Sequence, residues 1–199
     1  LYPPGSVWKL VMAAMLLEDG VDPNETVHCP GQVTLGKQIF RCWKKTGHGQ
    51  TNLSRALVDS CDVYFYLMGE RKGINRISTF AKACGFGEKT GITLPYERKG
   101  LVPTKEWKRA RLKRPWVRGD TYNVSIGQGD TLVSPLQMAV FIGSLLNGGK
   151  LLKPQLVNDA PVEIRSSLPV KQETLSFIVD AMRKTAEAGT AKVISRKNA

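Results

Sequence analysis

Leu1-Tyr-Pro-Pro-Gly-Ser-Val-Trp-Lys9 runs straight into Leu10-Val-Met-Ala-Ala-Met-Leu-Leu17. The two prolines cannot continue a helix from upstream, and Gly5 permits a tight lead-in. A helix is therefore predicted to begin at about Ser6. Ser6 and Lys9, three residues apart, then share one face, one turn apart. The run after Lys9 is apolar on every side, as in a helix buried within a larger core. A lysine carried into such a place must pair or give up its proton. Without its proton it is a general base beside a hydroxyl, and Ser6 becomes a nucleophile. Ser-x-x-Lys alone is common, and its ordinary instance is a solvated pair at a helix start. The rest of the chain must supply the partners.

The 199 residues suffice for one domain with a real core, or a large piece of a bigger one. Hydrophobic content of 42% with 23% charged residues is globular and excludes a disordered chain. No apolar run approaches the roughly 20 residues of a membrane span. Leu10 to Leu17 also lacks the basic leader and cleavage site of a signal peptide, so any anchor is expected outside these residues. The net charge is +12, much of it in Lys105, Lys108, Arg109, Arg111, Lys113, Arg114 and Arg118, which are interleaved with Trp107 and Trp116. Such a stretch suits nucleic acid. It equally suits an anionic membrane or cell-wall polymer, or a plain solvated loop.

Past Glu18-Asp19, Gly20 ends the first helix. Val21 to Gly49 has no helical period, so short strands and turns are expected, with a hairpin from Val33 to Phe40 around Gly36-Lys37. Thr51-Asn52 caps a helix from Leu53 to about Asp59. Ser60-Cys61-Asp62 follows. In one uninterrupted helix Ser60 and Asp62 would point about 200° apart. For both to serve one site the backbone must break, so a helix–turn–helix joint is predicted here. Val63-Tyr-Phe-Tyr-Leu-Met68 is expected in the core, and Ile74 to Cys84 has helical spacing up to Gly85. Phe86 to Gly119 is turn-rich and basic, with Gly91-Ile-Thr-Leu-Pro95 as an edge-strand candidate. Val124-Ser-Ile-Gly-Gln-Gly129 reads as a short strand running into glycines. Ser134-Pro135 starts a helix, Leu136 to Asn147, that stops at Gly148-Gly149. A strand from Leu151 to Val157, a linker or exposed turn from Asp159 to Pro169, and an amphipathic helix from Lys171 to Glu187 complete the reading. The last ten residues are basic and carry no stop signal. The chain is mostly helical, with too few strand candidates for a central sheet.

Four stretches now stand in order: Tyr2-Pro-Pro-Gly-Ser-Val-Trp-Lys9; Ser60-Cys-Asp62 ahead of Val-Tyr-Phe-Tyr; Gly85-Phe-Gly-Glu-Lys-Thr-Gly-Ile-Thr-Leu-Pro95; and Ile126-Gly-Gln-Gly129 ahead of Ser-Pro-Leu-Gln-Met-Ala. Together they resemble the transpeptidase domain of class B penicillin-binding proteins, along essentially the whole chain. Cys42-Trp-Lys-Lys-Thr-Gly-His-Gly49, Pro103-Thr-Lys-Glu-Trp-Lys108 and Arg114-Pro-Trp-Val-Arg-Gly-Asp120 look most like the penicillin-binding protein 2 branch, the cell-elongation type. The resemblance implies an α+β fold of the penicillin-binding transpeptidase and serine β-lactamase type. It implies that Ser6 attacks the bond between the terminal D-alanines of a peptidoglycan stem peptide, that Lys9 takes the serine proton, that Ser60 relays it and that Asp62 orients the relay. Penicillins would trap Ser6 as an ester, and the Ser6 N–H would form half of an oxyanion hole. No cofactor is needed for this chemistry.

The family's third motif, Lys-Thr-Gly or Lys-Ser-Gly on a strand lining the cleft, is expected beyond Ala199. Lys45-Thr46-Gly47 lies in a glycine-rich turn and Lys89-Thr90-Gly91 far upstream, so neither is taken for it. The resemblance also places strands of the central sheet, an anchor and a pedestal outside residues 1–199. The expectation is a partial transpeptidase domain, mostly its helical part, with weak or no activity by itself. Implied partners are stem peptides ending in D-Ala-D-Ala, β-lactams and a membrane glycosyltransferase, with no nucleic acid, at the periplasmic face of the inner membrane. A β-lactamase or D,D-carboxypeptidase on the same fold is the alternative enzyme. A non-enzymatic basic nucleic-acid-binding domain is the alternative outside enzymes.

Cys29, Cys42, His48 and Cys61 have the ligand types of a tetrahedral zinc site. Their intervals are longer than in compact zinc motifs. Cys29 and Cys42 flank the predicted hairpin and Cys61 sits between Ser60 and Asp62, so a structural zinc would pin that turn. A Cys29–Cys42 disulfide in an oxidising periplasm and free buried thiols are the other two readings. Cys84, on an apolar helix face, reads as a core residue.

Overall fold

In the computed structural model, residues 1–157 and 159–195 are described, so residues 196–199 of the basic tail lie outside the described part. A 3₁₀ turn, Gly5–Trp8, leads directly into α1, Lys9–Glu18. As its composition requires, α1 is sunk in the core: Lys9, Val11, Met12, Ala13, Ala14, Met15 and Leu16 are all buried. It packs against α2 (Leu53–Val58), α3 (Asp62–Ala83) and α7 (Gln172–Ala188). Each large apolar side chain so buried contributes roughly 2 kcal/mol.

The segment after α1 is built from short strands. The chain runs β1 (Val27–Cys29), β2 (Gln32–Leu35), β3 (Gln38–Arg41) and β4 (Gly49–Thr51). The β2–β3 hairpin turns at Gly36-Lys37 with Leu35 opposite Gln38, as predicted. It is inserted between β1 and β4, which pair with each other, Cys29 opposite Gly49. A third antiparallel pair joins β5 (Lys150–Leu152) to β6 (Ile164–Ser167). Among the described residues there are only these two-stranded sheets, so the expected shortage of a central sheet is observed.

The joint at Ser60 is present. The Asn52 side chain accepts the Arg55 N–H at 3.0 Å to start α2. The chain then breaks, with Ser60 at φ 52, and α3 begins at Asp62. The core run from Val63 to Tyr66 is buried, as expected. The helix read from Ile74 onward is the second part of α3, set off by Gly73 at φ 75. Near its start α3 lies against α5 (Arg118–Ser125), where Tyr66 stacks on Tyr122 with ring centroids 5.2 Å apart.

Four local expectations are corrected. Residues 91–95 form no strand. Lys105–Leu112 is a helix, α4, within the stretch read as turns; the Thr104 hydroxyl accepts the Trp107 N–H at 3.1 Å and starts it. Val124 and Ser125 belong to α5 and not to a strand, because Tyr122 and Val124 find burial while Asp120 caps the helix start by accepting the Val117 N–H at 2.8 Å. Part of the supposed linker is β6, whose exposed side chains gave no alternation to read. The helix announced by Ser134-Pro135 is α6, Pro135–Leu146, with reciprocal capping between Ser134 and Gln137. Its Phe141 meets Phe86, which in turn meets Trp8, at centroid distances of 5.3 and 5.0 Å. This aromatic line braces the 3₁₀ turn.

Candidate active site

Ser6 lies on the 3₁₀ turn and Lys9 is the first residue of α1. The tighter winding eclipses positions i and i+3, which brings Lys9 Nζ to 3.2 Å from Ser6 Oγ. The turn is docked by a glycine pair. The Gly5 N–H donates to the Gly127 carbonyl at 2.9 Å. A Cβ on Gly127, at φ +69, would stand 2.4 Å from the Gly5 oxygen and 2.6 Å from Trp8 Cβ. Only glycine lets the two loops approach this closely.

The Ser60 break delivers the remaining groups. Ser60 sits in the left-handed region that disfavours a side chain, and the turn directs Ser60 and Asp62 to one point. Lys9 Nζ reaches Ser60 O and Ser60 Oγ, both at 2.9 Å, and Asp62 Oδ1 at 2.7 Å. Ser60 Oγ donates to Ser6 Oγ at 3.0 Å. Four oxygens thus compete for an ammonium that has at most three N–H groups. Ser6 Oγ receives donors from both neighbours, an arrangement that favours negative charge on that oxygen. Lys9 is 2% exposed, while Ser6 is open to solvent. All four residues singled out for chemistry in the sequence are therefore brought together.

Sequence reasoning missed two neighbours. Trp43 donates its backbone N–H to Asp62 Oδ2 at 3.0 Å and its indole N–H to the Asp59 carbonyl at 2.9 Å, with its ring 58% exposed. Thr190 follows α7, and its N–H donates to the Val58 carbonyl at 3.2 Å. Ser6, Trp43, Ser60, Asp62 and Thr190 line one open cleft of about 550 Å³. A larger cleft, about 790 Å³, lies at α4 and contains none of these groups. Neither Lys-Thr-Gly sequence lies on a strand.

Behind Ser60 and Asp62 sits the cysteine cluster. The β1–β4 pairing closes the sequence gap between Cys29 and His48, and the hairpin return supplies Cys42. Gly47, at φ +77, makes this closure possible, since a Cβ there would lie 2.2 Å from the Cys29 oxygen. One donor atom from each of Cys29, Cys42, His48 and Cys61 lies within 4.8 Å of all the others, and all four residues are buried. His48 Nδ1 stands 3.6 Å from Cys29 Sγ and 3.5 Å from Cys42 Sγ. His48 Nε2 has no hydrogen-bond partner among the described residues. The hydrogen bond from the Cys61 thiol pulls Cys42 down to about 5, and the same bond together with burial raises Cys61. All four cysteines are free, so no Cys29–Cys42 disulfide is formed. Cys84 is a buried core thiol outside the cluster, pushed up to about 12 by burial.

The family model of the penicillin binding protein transpeptidase domain matches residues 1–198. Peptidoglycan D,D-transpeptidase MrdA of Haemophilus influenzae is 45% identical over 159 residues, which is 78% of this chain and 24% of that protein. The chain thus spans about a quarter of the length of that curated relative. A crystal structure of Pseudomonas aeruginosa PBP2 in complex with WCK 5153 superposes on 100% of the chain and 46% of its own, with a TM-score of 0.90 and 31% identity. A structure described as coordination of polymerization and crosslinking by a peptidoglycan synthase complex matches 97% of the chain and 34% of its own, with a TM-score of 0.86 and 32% identity.

Proposed function

The chain belongs to the penicillin-binding protein transpeptidase family, and on that footing we propose that Ser6 is the acylated nucleophile of a peptidoglycan D,D-transpeptidase. The observation that carries this is the convergence of Lys9 Nζ and Ser60 Oγ on Ser6 Oγ, at 3.2 and 3.0 Å. Once Lys9 has released a proton, Ser6 Oγ attacks the carbonyl between the two terminal D-alanines of a stem peptide, and its own proton passes to the Lys9 amine, restoring the ammonium beside Asp62. The Ser6 N–H, at the start of the turn, donates to the oxygen that becomes negative. Ser60 touches both Nζ and Ser6 Oγ, so it can hand the proton to the departing D-alanine amine. The amine of a neighbouring stem then attacks the ester, the proton path runs in reverse, and Ser6 is regenerated with a cross-link formed. Asp62, itself held by the Trp43 N–H, keeps Nζ in place throughout. In a penicillin the corresponding amide is part of the ring, so the leaving nitrogen stays attached and the ester persists.

Residues 1–199 supply the nucleophile and its proton relay; assembly with a membrane glycosyltransferase at the periplasmic face of the inner membrane belongs to the same proposal. Among the described residues no helix is long and apolar enough to cross a membrane. The test is release of D-alanine from a pentapeptide donor, with an acceptor amine present, by the full-length gene product. Ser6→Ala should abolish release, and Lys9→Ala should slow it by about 10² to 10⁴, as for loss of a general base. A penicilloyl ester that is hydrolysed within seconds would point instead to a β-lactamase.

We further assign Cys29, Cys42, His48 and Cys61 to a structural zinc ion. A zinc 2.3 Å from sulfur and about 2.05 Å from nitrogen, at tetrahedral angles, sets a sulfur–nitrogen separation of about 3.6 Å. The observed separations of 3.6 and 3.5 Å fit. Four protein ligands leave no open position, so such an ion supplies rigidity and no reaction step. It would fix Cys61, and with it Ser60 and Asp62 on either side. Cys42 adjoins Trp43, whose N–H holds Asp62. Elemental analysis should find one zinc per chain, lost in Cys61→Ser. Metal retained unchanged by that variant would sink the assignment.

A further inference from the structure

The cleft of about 790 Å³ beside α4 is unused by the chemistry above. It is lined by Arg109, Lys113, Arg114 and Glu106, with Ala110 and Pro115 as its apolar surface. We propose that this cleft docks a carboxylate-bearing strand of the cell-wall polymer, away from the cleft that holds Ser6. The identity of the polymer rests on the transpeptidase reading; the anion-binding character of the cleft does not.

Arg109 lies in the last turn of α4 and Lys113 is the left-handed residue that ends the helix. Arg114 follows at once. None of the three has an ion-pair partner among the described residues, and all are exposed. Three unpaired cations crowded round a concavity repel one another unless an anion enters. Glu106 is the one acid on the lining, and it leaves the balance positive.

An ordinary solvated basic loop would let these charges spread. Here the backbone prevents it. Lys108, 8% exposed, is ion-paired to Asp120, whose carboxylate also accepts the Val117 N–H at 2.8 Å. The Trp116 indole N–H donates to Thr121 Oγ1 at 2.9 Å. The 116–117 end of this segment is thereby fastened to α5. Lys113 itself is held at φ 56, a strained conformation for a side chain with a Cβ. The start of α5 also packs closely on β3: a Cβ on Gly119 would be 2.8 Å from the Phe40 ring.

The details favour a carboxylate polymer over the other polyanions. A membrane-binding helix offers bulky apolar side chains around its cations. Leu112 and Val117 are exposed, but they do not line this cleft. Single-stranded nucleic acid needs open aromatic faces for stacking. Both tryptophans are half-buried and neither lines the cleft; Trp116 has Lys108 Nζ 5.7 Å from its ring centroid. Arginine forks in a concave site match planar carboxylates two bonds at a time.

Co-sedimentation of the full-length protein with purified peptidoglycan sacculi tests the proposal. Wild type should bind in a salt-sensitive way. Arg109→Gln/Lys113→Gln/Arg114→Gln should bind about 30- to 100-fold more weakly, at roughly three- to fivefold per exposed charge-assisted contact. Sacculi with amidated carboxylates should show the same loss with wild type. Lys105→Gln/Arg111→Gln removes two exposed cations of α4 outside the cleft and should change affinity by less than about threefold; it controls for net charge. Melting temperatures of both variants should match wild type, since only exposed side chains change. The triple variant should react with penicillin at the wild-type rate, and Ser6→Ala should bind sacculi normally. Those two readouts separate failure of this proposal from failure of the transpeptidase reading. Equal binding by wild type and triple variant, or a stronger charge-dependent affinity for anionic vesicles or oligonucleotides than for sacculi, would overturn it.

Discussion

Asp62→Ala should be among the most costly single changes near the site, for a reason set by Lys9. The lysine side chain is 2% exposed and that of Asp62 13% exposed, with 2.7 Å between Nζ and Oδ1. Removing one partner of a buried ion pair leaves the other charge uncompensated, at about 3–5 kcal/mol. Lys9 keeps the Ser60 carbonyl and hydroxyl, both at 2.9 Å, which puts the loss near the lower end, about 3 kcal/mol. For a chain of this size that corresponds to a fall of roughly 6–12 °C in melting temperature. The Trp43 N–H also loses its acceptor. Lys9→Met removes the stranded charge, so Lys9→Met/Asp62→Ala should recover most of the stability lost in Asp62→Ala. A thermal-denaturation double-mutant cycle should therefore return a coupling of at least about 2 kcal/mol. If the two single changes add to within about 0.5 kcal/mol, the pair is not the buried, mutually dependent contact described here.

Gly127→Ala should destabilise by about 2–4 kcal/mol, from a left-handed residue acquiring a Cβ plus overlap with Gly5 and Trp8. Because the same contact seats the 3₁₀ turn, it should also slow acylation of Ser6, read as the rate of labelling by a fluorescent penicillin. Burial acts to raise the Asp19 carboxyl, but hydrogen bonds from Arg76 and Lys72 outweigh it and hold the group below its usual 3.8. A depressed acid stabilises the fold above its unfolded pKa, and that contribution is lost as pH falls through the folded one. The melting difference between wild type and Asp19→Asn should thus be flat from pH 7 to about 5 and shrink below about 4. Ser60→Ala removes one hydroxyl from the Lys9–Ser6 relay while Lys9 keeps the Ser60 carbonyl and Asp62. It should leave the melting temperature within a few degrees and lower D-alanine release far more than substrate binding, a kcat effect with little change in KM.

The site was legible where chemistry depends on side-chain type. Ser6, Lys9, Ser60 and Asp62 could be named from the sequence, and a backbone break there could be inferred from the need to turn two residues to one face; that Ser60 takes the left-handed conformation could not. The Cys29, Cys42, His48 and Cys61 group was visible as ligand types, but its long intervals carried little weight until the β1–β4 pairing closed them. Trp43 escaped because its contact with Asp62 runs through a backbone N–H, which every residue but proline possesses. The helices α4 and α5 escaped for a different reason. Lys105–Leu112 has no apolar stripe, and Arg118–Ser125 contains glycine and β-branched residues. Their helicity is secured by Thr104, by Asp120 and by burial of Tyr122 and Val124, which are tertiary and capping effects that override weak local preference. The strand β6 is exposed at every position, so it exists by pairing with β5 and not by pattern.

The central claim is that Ser6 Oγ is the atom that becomes acylated. Peptide mapping by mass spectrometry, after brief exposure of the full-length gene product to a penicillin, tests it most directly. A penicilloyl adduct is expected on the peptide carrying Ser6 and is absent from Ser6→Ala. An adduct on another residue, its persistence in Ser6→Ala, or a folded protein that takes up no penicillin would contradict it.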